Sequence, residues 1–365
     1  MKYGFAKSDH IKFPPMVVVS IVNVCNLTCQ HCYWPKLAKE SDYRGNMMKW
    51  DHWIKIIDEM STHSVSVLNL GTDGEPLMHK DFIKMMKYAR KKNIYPINIT
   101  TNGTLLKGAM ANTIIEENLL DTINISLDAF TPETFTKIRG GRAETYHEIH
   151  DNILEIYELK EKLNPNIKIQ VNIIDQPDAA HELDDFKNYW ESKVDQVMIR
   201  TYYTATAITG GTGQDITGDQ KFEKVDRWPC TLFWRRITVT DDGGIQYCID
   251  DWHHKSKLGH LDQNSIQEIW QSSKYNELRN YHLQGEQHKN PYCADCTEWQ
   301  GMSWDYDYFK AMEKISQPLP GKGISLSAQQ AKSMGYLRDH DKIIMNRDHL
   351  LYAAKNEVLA LSKNY

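Results

Sequence analysis

Seven cysteines carry the first chemical signal in this chain, and they fall into two groups. Cys25, Cys29 and Cys32 are spaced C-x3-C-x2-C, directly after an apolar run at 17–22. Three thiolates on one short loop can hold three irons of a 4Fe–4S cube. The fourth iron then has no protein ligand, and an open coordination position lets a metal centre act on a substrate. A partial zinc site or three buried thiols is the plainer reading. Zinc pairs, however, show C-x2-C with a partner pair, and no fourth ligand follows at such spacing. His31 lies inside the tight turn. The remaining cysteines, Cys230, Cys248, Cys293 and Cys296, are spaced C-x17-C, a 44-residue gap, then C-x2-C. Four thiolates close a 4Fe–4S cluster completely, and a tetrahedral zinc site accepts the same donors. Zinc ribbons usually contribute two tight pairs, whereas here the first two cysteines bracket a predicted hairpin.

The elements that must position these groups follow a regular grammar. Apolar, β-rich runs at 17–22, 65–70, 96–100, 122–127, 169–174 and 197–201 predict strands. Helical patterns at 50–60, 80–92, 107–117, 132–138, 145–162 and 180–192 lie between them. Such alternation predicts an α/β fold with a parallel sheet, closed into a partial six-unit barrel with reactive groups at the strands' C-terminal ends. The Thr/Gly-rich stretch at 205–229 reads as a linker or substrate loop. After it, 237–240 and 245–248 predict a hairpin around a Gly-containing turn, and 265–283 a helix with Ser265 as its N-cap. The expected organisation is a barrel over 1–204, the linker, a small auxiliary domain over 230–300 and a helical extension over 301–365.

The cysteine spacing and its place after the first strand resemble the radical S-adenosylmethionine (SAM) superfamily. Asp73-Gly74-Glu75-Pro76, after the second strand, is similar to that family's Gly-Gly-Glu-Pro, with Asp73 in place of the first glycine. The resemblance implies that Gly74 and Glu75 meet the amino group of SAM, an acidic side chain beside a cationic amine. It also implies SAM contacts from Asn102 of Thr101-Asn102-Gly103, Ser126 and Asp128 of Ser126-Leu127-Asp128, and Arg139 of Ile138-Arg139-Gly140-Gly141. A Thr-Asn-Gly or Ser-x-Asp alone is ordinary strand-end turn chemistry; order behind the cysteine motif gives them weight. The run Cys230-Thr231-Leu232-Phe233-Trp234, Leu258-Gly259-His260, Ile266 to Trp270, Arg279 and Cys293-Ala294-Asp295-Cys296 resembles the short SPASM, or twitch, domain with one auxiliary cluster.

By this resemblance the cofactors are SAM and two 4Fe–4S clusters, one site-open and one auxiliary. The reduced first cluster would cleave SAM to methionine and a 5′-deoxyadenosyl radical, which abstracts hydrogen from a substrate C–H bond. All seven cysteines are consumed as three plus four, so no thiol remains as the hydrogen donor that epimerases of this family use. The expectation is a radical SAM oxidoreductase that dehydrogenates an alcohol carbon of a carbohydrate- or aminocyclitol-like small molecule. Arg200 and Tyr202, at the end of the last strand, are the expected positioning or proton-accepting groups; a guanidinium is a poor free base, so positioning suits Arg200 equally well. The alternatives are a peptide- or protein-modifying maturase and a non-catalytic iron–sulfur electron carrier. Only 24 residues precede Cys25, too few for a leader-binding domain, which favours the small molecule.

Composition sets the remaining expectations. A net charge of −5 offers no basic excess for nucleic acid. No run approaches the ~20 apolar residues of a membrane span, and residues 1–15 lack the apolar core of a secretory signal. A cytoplasmic protein with an external electron donor such as flavodoxin or ferredoxin is expected.

Overall fold

The computed structural model describes residues 3–63, 66–201, 227–294, 296, 298–302 and 304. Its sheet grows from a two-residue alternation of apolar and polar side chains. Strands β1 (Met16–Val19), β2 (Val67–Leu70), β3 (Ile97–Thr101), β4 (Thr122–Ser126), β5 (Lys168–Asp175) and β6 (Gln196–Thr201) pair in parallel, each with the next. Because successive side chains point to opposite faces, register puts Leu70, Ile99, Ile123 and Ile169 on one face. These four share a core with Trp53, Ile57, Phe82, Met85, Ile114 and Ile153 of the helices. Burying each such side chain contributes roughly 1.5–3 kcal/mol.

The opposite face is polar. Thr100, Asn124, Gln170 and Gln196 stand in one row and Ser126 beside Asn172 in the next. Asn172 Nδ2 donates to Asn124 Oδ1 at 2.8 Å and to Ser126 Oγ at 3.2 Å, while Gln170 Nε2 donates to Gln196 Oε1 at 2.7 Å. Buried amides so paired avoid the cost of an unsatisfied polar group.

The expected helices form as α1 (Trp50–Ser61), α2 (Phe82–Lys91), α3 (Gly108–Glu116), α4 (Pro132–Arg139) and α5 (Ala143–Leu163). The one expected over 180–192 is a 3-10 turn, Ala180–Glu182, followed by α6 (Leu183–Trp190). Local chemistry sets the limits of α4: Thr131 Oγ1 accepts from Thr134 N at 3.3 Å, and Gly140 ends the helix at φ +69°. This endpoint fixes where Arg139 sits.

Beyond β6 the sheet continues. A one-turn helix α7 (Leu232–Arg235) leads into β7 (Ile237–Val239), which pairs in parallel with β1, Val19 opposite Val239. The expected hairpin is β7 with β8 (Gly244–Gln246), and β9 (Lys257–His260) adds an antiparallel strand. Among the described residues one nine-stranded sheet results, in the order β6-β5-β4-β3-β2-β1-β7-β8-β9. The helix expected over 265–283 is broken at Ser272 into α8 (Ile266–Gln271) and α9 (Ser273–Leu283). Both serines act as N-caps: Ser265 forms a capping box with Glu268, and Ser272 Oγ accepts from Tyr275 N at 3.2 Å. The break brings Arg279 Nη1 within 2.8 Å of the Trp270 carbonyl that α8 leaves open. Among the described residues, no helix is long and apolar enough to cross a membrane.

Candidate functional site

Cys25, Cys29 and Cys32 lie on the loop that leaves the C-terminal end of β1. Neighbouring loops sew this loop down. Thr28 N donates to Arg139 O at 3.1 Å and Gln30 N to Ile138 O at 2.8 Å, so the end of α4 holds its middle. Gly140 is required here, since a Cβ would stand 2.1 Å from Thr28 Oγ1. All three thiols are free. Burial pushes the Cys29 thiol up to about 11 and raises Cys25 and Cys32; the charges of neighbouring thiolates add to the rise in Cys29 and Cys32. Three free thiols on one short loop, each raised by burial, fit a metal centre, which would hold them as thiolates. Arg139, buried beside all three, supplies compensating positive charge.

Glu75 is buried, but its carboxylate faces the protein. Oε1 accepts from Thr101 Oγ1 at 2.6 Å and Leu77 N at 3.1 Å, and Oε2 accepts from Asn102 N at 2.6 Å. It ties the end of β2 to that of β3. Asn102 then reaches the cysteine loop: Nδ2 donates to Asn26 Oδ1 at 2.8 Å and lies 3.8 Å from Cys25 Sγ. Glu75 N donates to Val24 O at 2.8 Å. Gly74 makes this approach possible, because a Cβ there would lie 2.4 Å from Val24 O and 2.8 Å from Val24 N. A Gly74→Ala enzyme should therefore lose about 1–3 kcal/mol of stability. It should also retain less iron than wild type at Cys25 after reconstitution, read by denaturant midpoint and iron analysis. Unchanged values for both would remove Gly74 from this role.

Asp128 and Arg139 form a buried pair, Arg139 Nη1 donating to Asp128 Oδ2 at 2.6 Å. Asp128 Oδ1 also accepts from Ile174 N at 3.2 Å, and His31 Nε2 lies 3.6 Å from Oδ2. Asp128 adopts φ +59°, a left-handed conformation that Asp tolerates better than most residues. Arg139 Nε has no hydrogen-bond acceptor among the described residues. Ser126 faces the polar row with Asn172. Cys25, Glu75, Asn102, Asp128 and Arg139 thus form one connected group around the cysteine loop.

The second set of thiols also converges. Burial raises Cys230 to about 12 and Cys296 to about 11; it raises Cys248 and Cys293 as well, and other cysteines of the set add to the rise in Cys230, Cys248 and Cys293. The four come from distant segments. Arg227 donates to Ala294 O at 2.8 Å and Cys293 O at 2.6 Å, bridging the chain before Cys230 to α10 (Pro291–Ala294). Asn290 Nδ2 donates to Cys293 Sγ at 3.3 Å. Four free thiols, each raised by burial, supply the donors of a closed centre. Arg279 lies over the rings of Phe5, Trp270 and Tyr275 and serves packing.

Arg200 is exposed at the end of β6, and Tyr202 lies outside the described residues. Trp299 is core, 4.6 Å from the Trp228 ring. Sequence reasoning left the pair His253-His254 unassigned. His253 Nε2 lies 3.1 Å from Glu40 Oε1 and 3.2 Å from Tyr33 Oη, and His254 Nε2 lies 3.8 Å from Asp73 Oδ2. The signal available in sequence was Asp73 itself, an acid in a glycine position. Its backbone needs no positive φ; Gly71, at φ +119°, makes that turn.

Comparison with known proteins follows this division. The radical SAM superfamily model matches residues 19–199, and the iron–sulfur cluster-binding SPASM model matches residues 230–297. The Fe-coproporphyrin III synthase of Methanosarcina barkeri is 36% identical over 126 residues, 34% of this chain and 30% of that protein. The GTP 3′,8-cyclase of Clostridium botulinum strain Okra is 32% identical over 174 residues, 47% of this chain and 50% of that one. The chain thus spans half or less of the length of these curated relatives. Among solved structures, BtrN in complex with AdoMet and 2-DOIA aligns over 78% of this chain and 94% of its own, with TM-score 0.50 and 15% identity. Streptococcus suis SuiB bound to S-adenosylmethionine aligns over 74% of this chain and 68% of its own, with TM-score 0.56 and 16% identity. These two likenesses establish the fold. The two family matches bring SAM and 4Fe–4S clusters as cofactors. The chain belongs to the radical SAM superfamily and carries a C-terminal SPASM-type auxiliary-cluster domain.

Proposed function

We propose that this enzyme is an oxidoreductase that removes two hydrogens from an alcohol carbon of a carbohydrate- or aminocyclitol-like small molecule. When bound, the cofactors supply a carbon-centred radical that abstracts hydrogen and an acceptor for the second electron. The chain's own residues bind and position. Cys25, Cys29 and Cys32 would hold the site-open cluster, and Cys230, Cys248, Cys293 and Cys296 the auxiliary one. Glu75 and Asn102 brace the first loop through the β2–β3 strand ends, while Arg139 places positive charge beside it. Gly74 and Asp128, on strand-end loops, and Ser126, the last residue of β4, lie where SAM is expected. Arg200 stands at the end of β6, where it would orient the substrate hydroxyl.

The observation that carries the reading is the division of seven thiols into three plus four with none spare. Reduction of a substrate radical by a thiol then has no donor among these cysteines, which favours oxidation over epimerisation. The fold neighbour BtrN, by its description, binds 2-DOIA. The test is anaerobic turnover with reductant and a panel of polyols and aminocyclitols, followed by mass spectrometry. A product short of two hydrogens, with one SAM consumed per turnover, is expected. Epimerised substrate, or none consumed while 5′-deoxyadenosine accumulates, overturns the proposed reaction. Loss of two hydrogens from a peptide side chain instead would move the substrate to the maturase class.

A further inference from the structure

The ends of β2 and β7 and the loop after Cys248 bring three ligating side chains together outside the cysteine sets. One oxygen each from Asp73 and Asp241 and one ring nitrogen of His254 all lie within 4.8 Å of one another. Both aspartates are 2% exposed. Among the described residues, neither carboxylate oxygen of Asp73 accepts a hydrogen bond within 3.5 Å, and Asp241 Oδ1 accepts none either. Asp241 Oδ2 is held by Asn46 Nδ2 at 2.7 Å, which orients the other oxygen. Two buried carboxylates this close are costly unless a cation lies between them. His254 beside Asp73, at 3.8 Å, offers at most one positive charge.

The group opens on a cleft of about 250 Å³ that Asp73 and His254 line together with Glu40 and Asp42. Arg44 also lines it, its Nη1 donating to the Ser41 and Tyr43 carbonyls at 3.0 and 2.6 Å. Glu40, Asp42 and Asp73 outweigh this single guanidinium, so the cleft gives a cation an approach from solvent.

We propose that Asp73, Asp241 and His254 form a binding site for a divalent first-row cation, distinct from both iron–sulfur centres. Two carboxylates and a neutral imidazole balance the charge of such an ion, and this mixed oxygen–nitrogen set suits Mn2+, Fe2+ or Zn2+. Asn46 acts as the outer partner that fixes a ligating carboxylate. A second group, His52, His260 and Asp262, is a poorer site. Its Asp262 is exposed and already takes a hydrogen bond from Lys55 Nζ at 3.4 Å.

The test uses the full chain with both clusters reconstituted and oxidised, titrated with Mn2+ while EPR follows the signal of the free ion. The proposal is independent of the reaction class, so its failure leaves the oxidation intact. Wild type is expected to sequester one Mn2+ per chain. Asp241→Asn and His254→Gln should abolish sequestration at that concentration, and Asn46→Ala, an exposed position, should weaken it by about tenfold. Asp262→Asn should bind as wild type does. Iron content equal to wild type establishes that each variant is folded. No sequestration by wild type, equal sequestration by Asp241→Asn, or loss in Asp262→Asn alone overturns the proposal.

Discussion

A Cys29→Ala enzyme, reconstituted anaerobically, is expected to hold about four irons per chain where wild type holds about eight, and to release no 5′-deoxyadenosine above the enzyme-free background. Cys29 is the most enclosed thiol of its set, 7% exposed, on a loop fixed on both sides by the end of α4. The other four cysteines lie on distant segments at 230–248 and 293–296. His31 cannot substitute either. Its Nε2 is turned to Asp128, 3.6 Å from Oδ2. The converse variant, Cys293→Ala, should lose the other four irons while still cleaving SAM. Iron analysis with a 5′-deoxyadenosine assay reads both. If Cys29→Ala kept about eight irons, the assignment of Cys25, Cys29 and Cys32 to the site-open cluster would fail.

The second large effect concerns Arg139. Its guanidinium and the Asp128 carboxylate are both buried, at 5% and 0% exposure. Taking away one partner leaves a charge without compensation in a poorly solvated place. Arg139→Leu should therefore destabilise the apo-protein by about 3–5 kcal/mol, a large share of a typical domain's total. It should also weaken cluster retention, since the positive charge beside three thiolates is lost. Replacing both members, Arg139→Leu with Asp128→Asn, should recover much of the stability without recovering the cluster. Urea midpoints and iron counts on the single and double variants separate these two contributions. Equal midpoints for wild type and Arg139→Leu would show that the pair contributes nothing net.

Much of this arrangement was legible in sequence, for identifiable reasons. Strands β1 to β6 and most of the helices followed from periodicity, and the cysteine loop from spacing. Ser265 announced its helix through Glu268 three residues later. The break at Ser272 was hidden because 265–283 is continuous in helical pattern and the second cap lies within it. Strand β9 was missed because Lys257, Leu258, Gly259 and His260 are too few and too mixed to show an alternation. The polar rows of Asn124, Gln170 and Asn172 were masked by the isoleucines between them. Two features depended on contacts between distant segments: β7 pairing with β1, and Asp73 meeting Asp241 and His254. No local pattern encodes either. Glu75 was read from its motif as a group facing SAM; its further ties to Thr101, Leu77 and Asn102 join strand ends that no local pattern links.

The placement of β1 has a thermodynamic consequence. This strand carries the first cysteine loop and is hydrogen-bonded on one side to β2 and on the other to β7, with Val17, Val18 and Val19 wholly buried. The segments bearing Cys25 and Cys230 to Cys248 thus hang from adjoining strands of one sheet. Amides of a buried strand paired on both sides stand at the high end of a protein's range of opening free energies. Ligation at either end then stabilises the same strand by mass action. Each centre guards the other's scaffold.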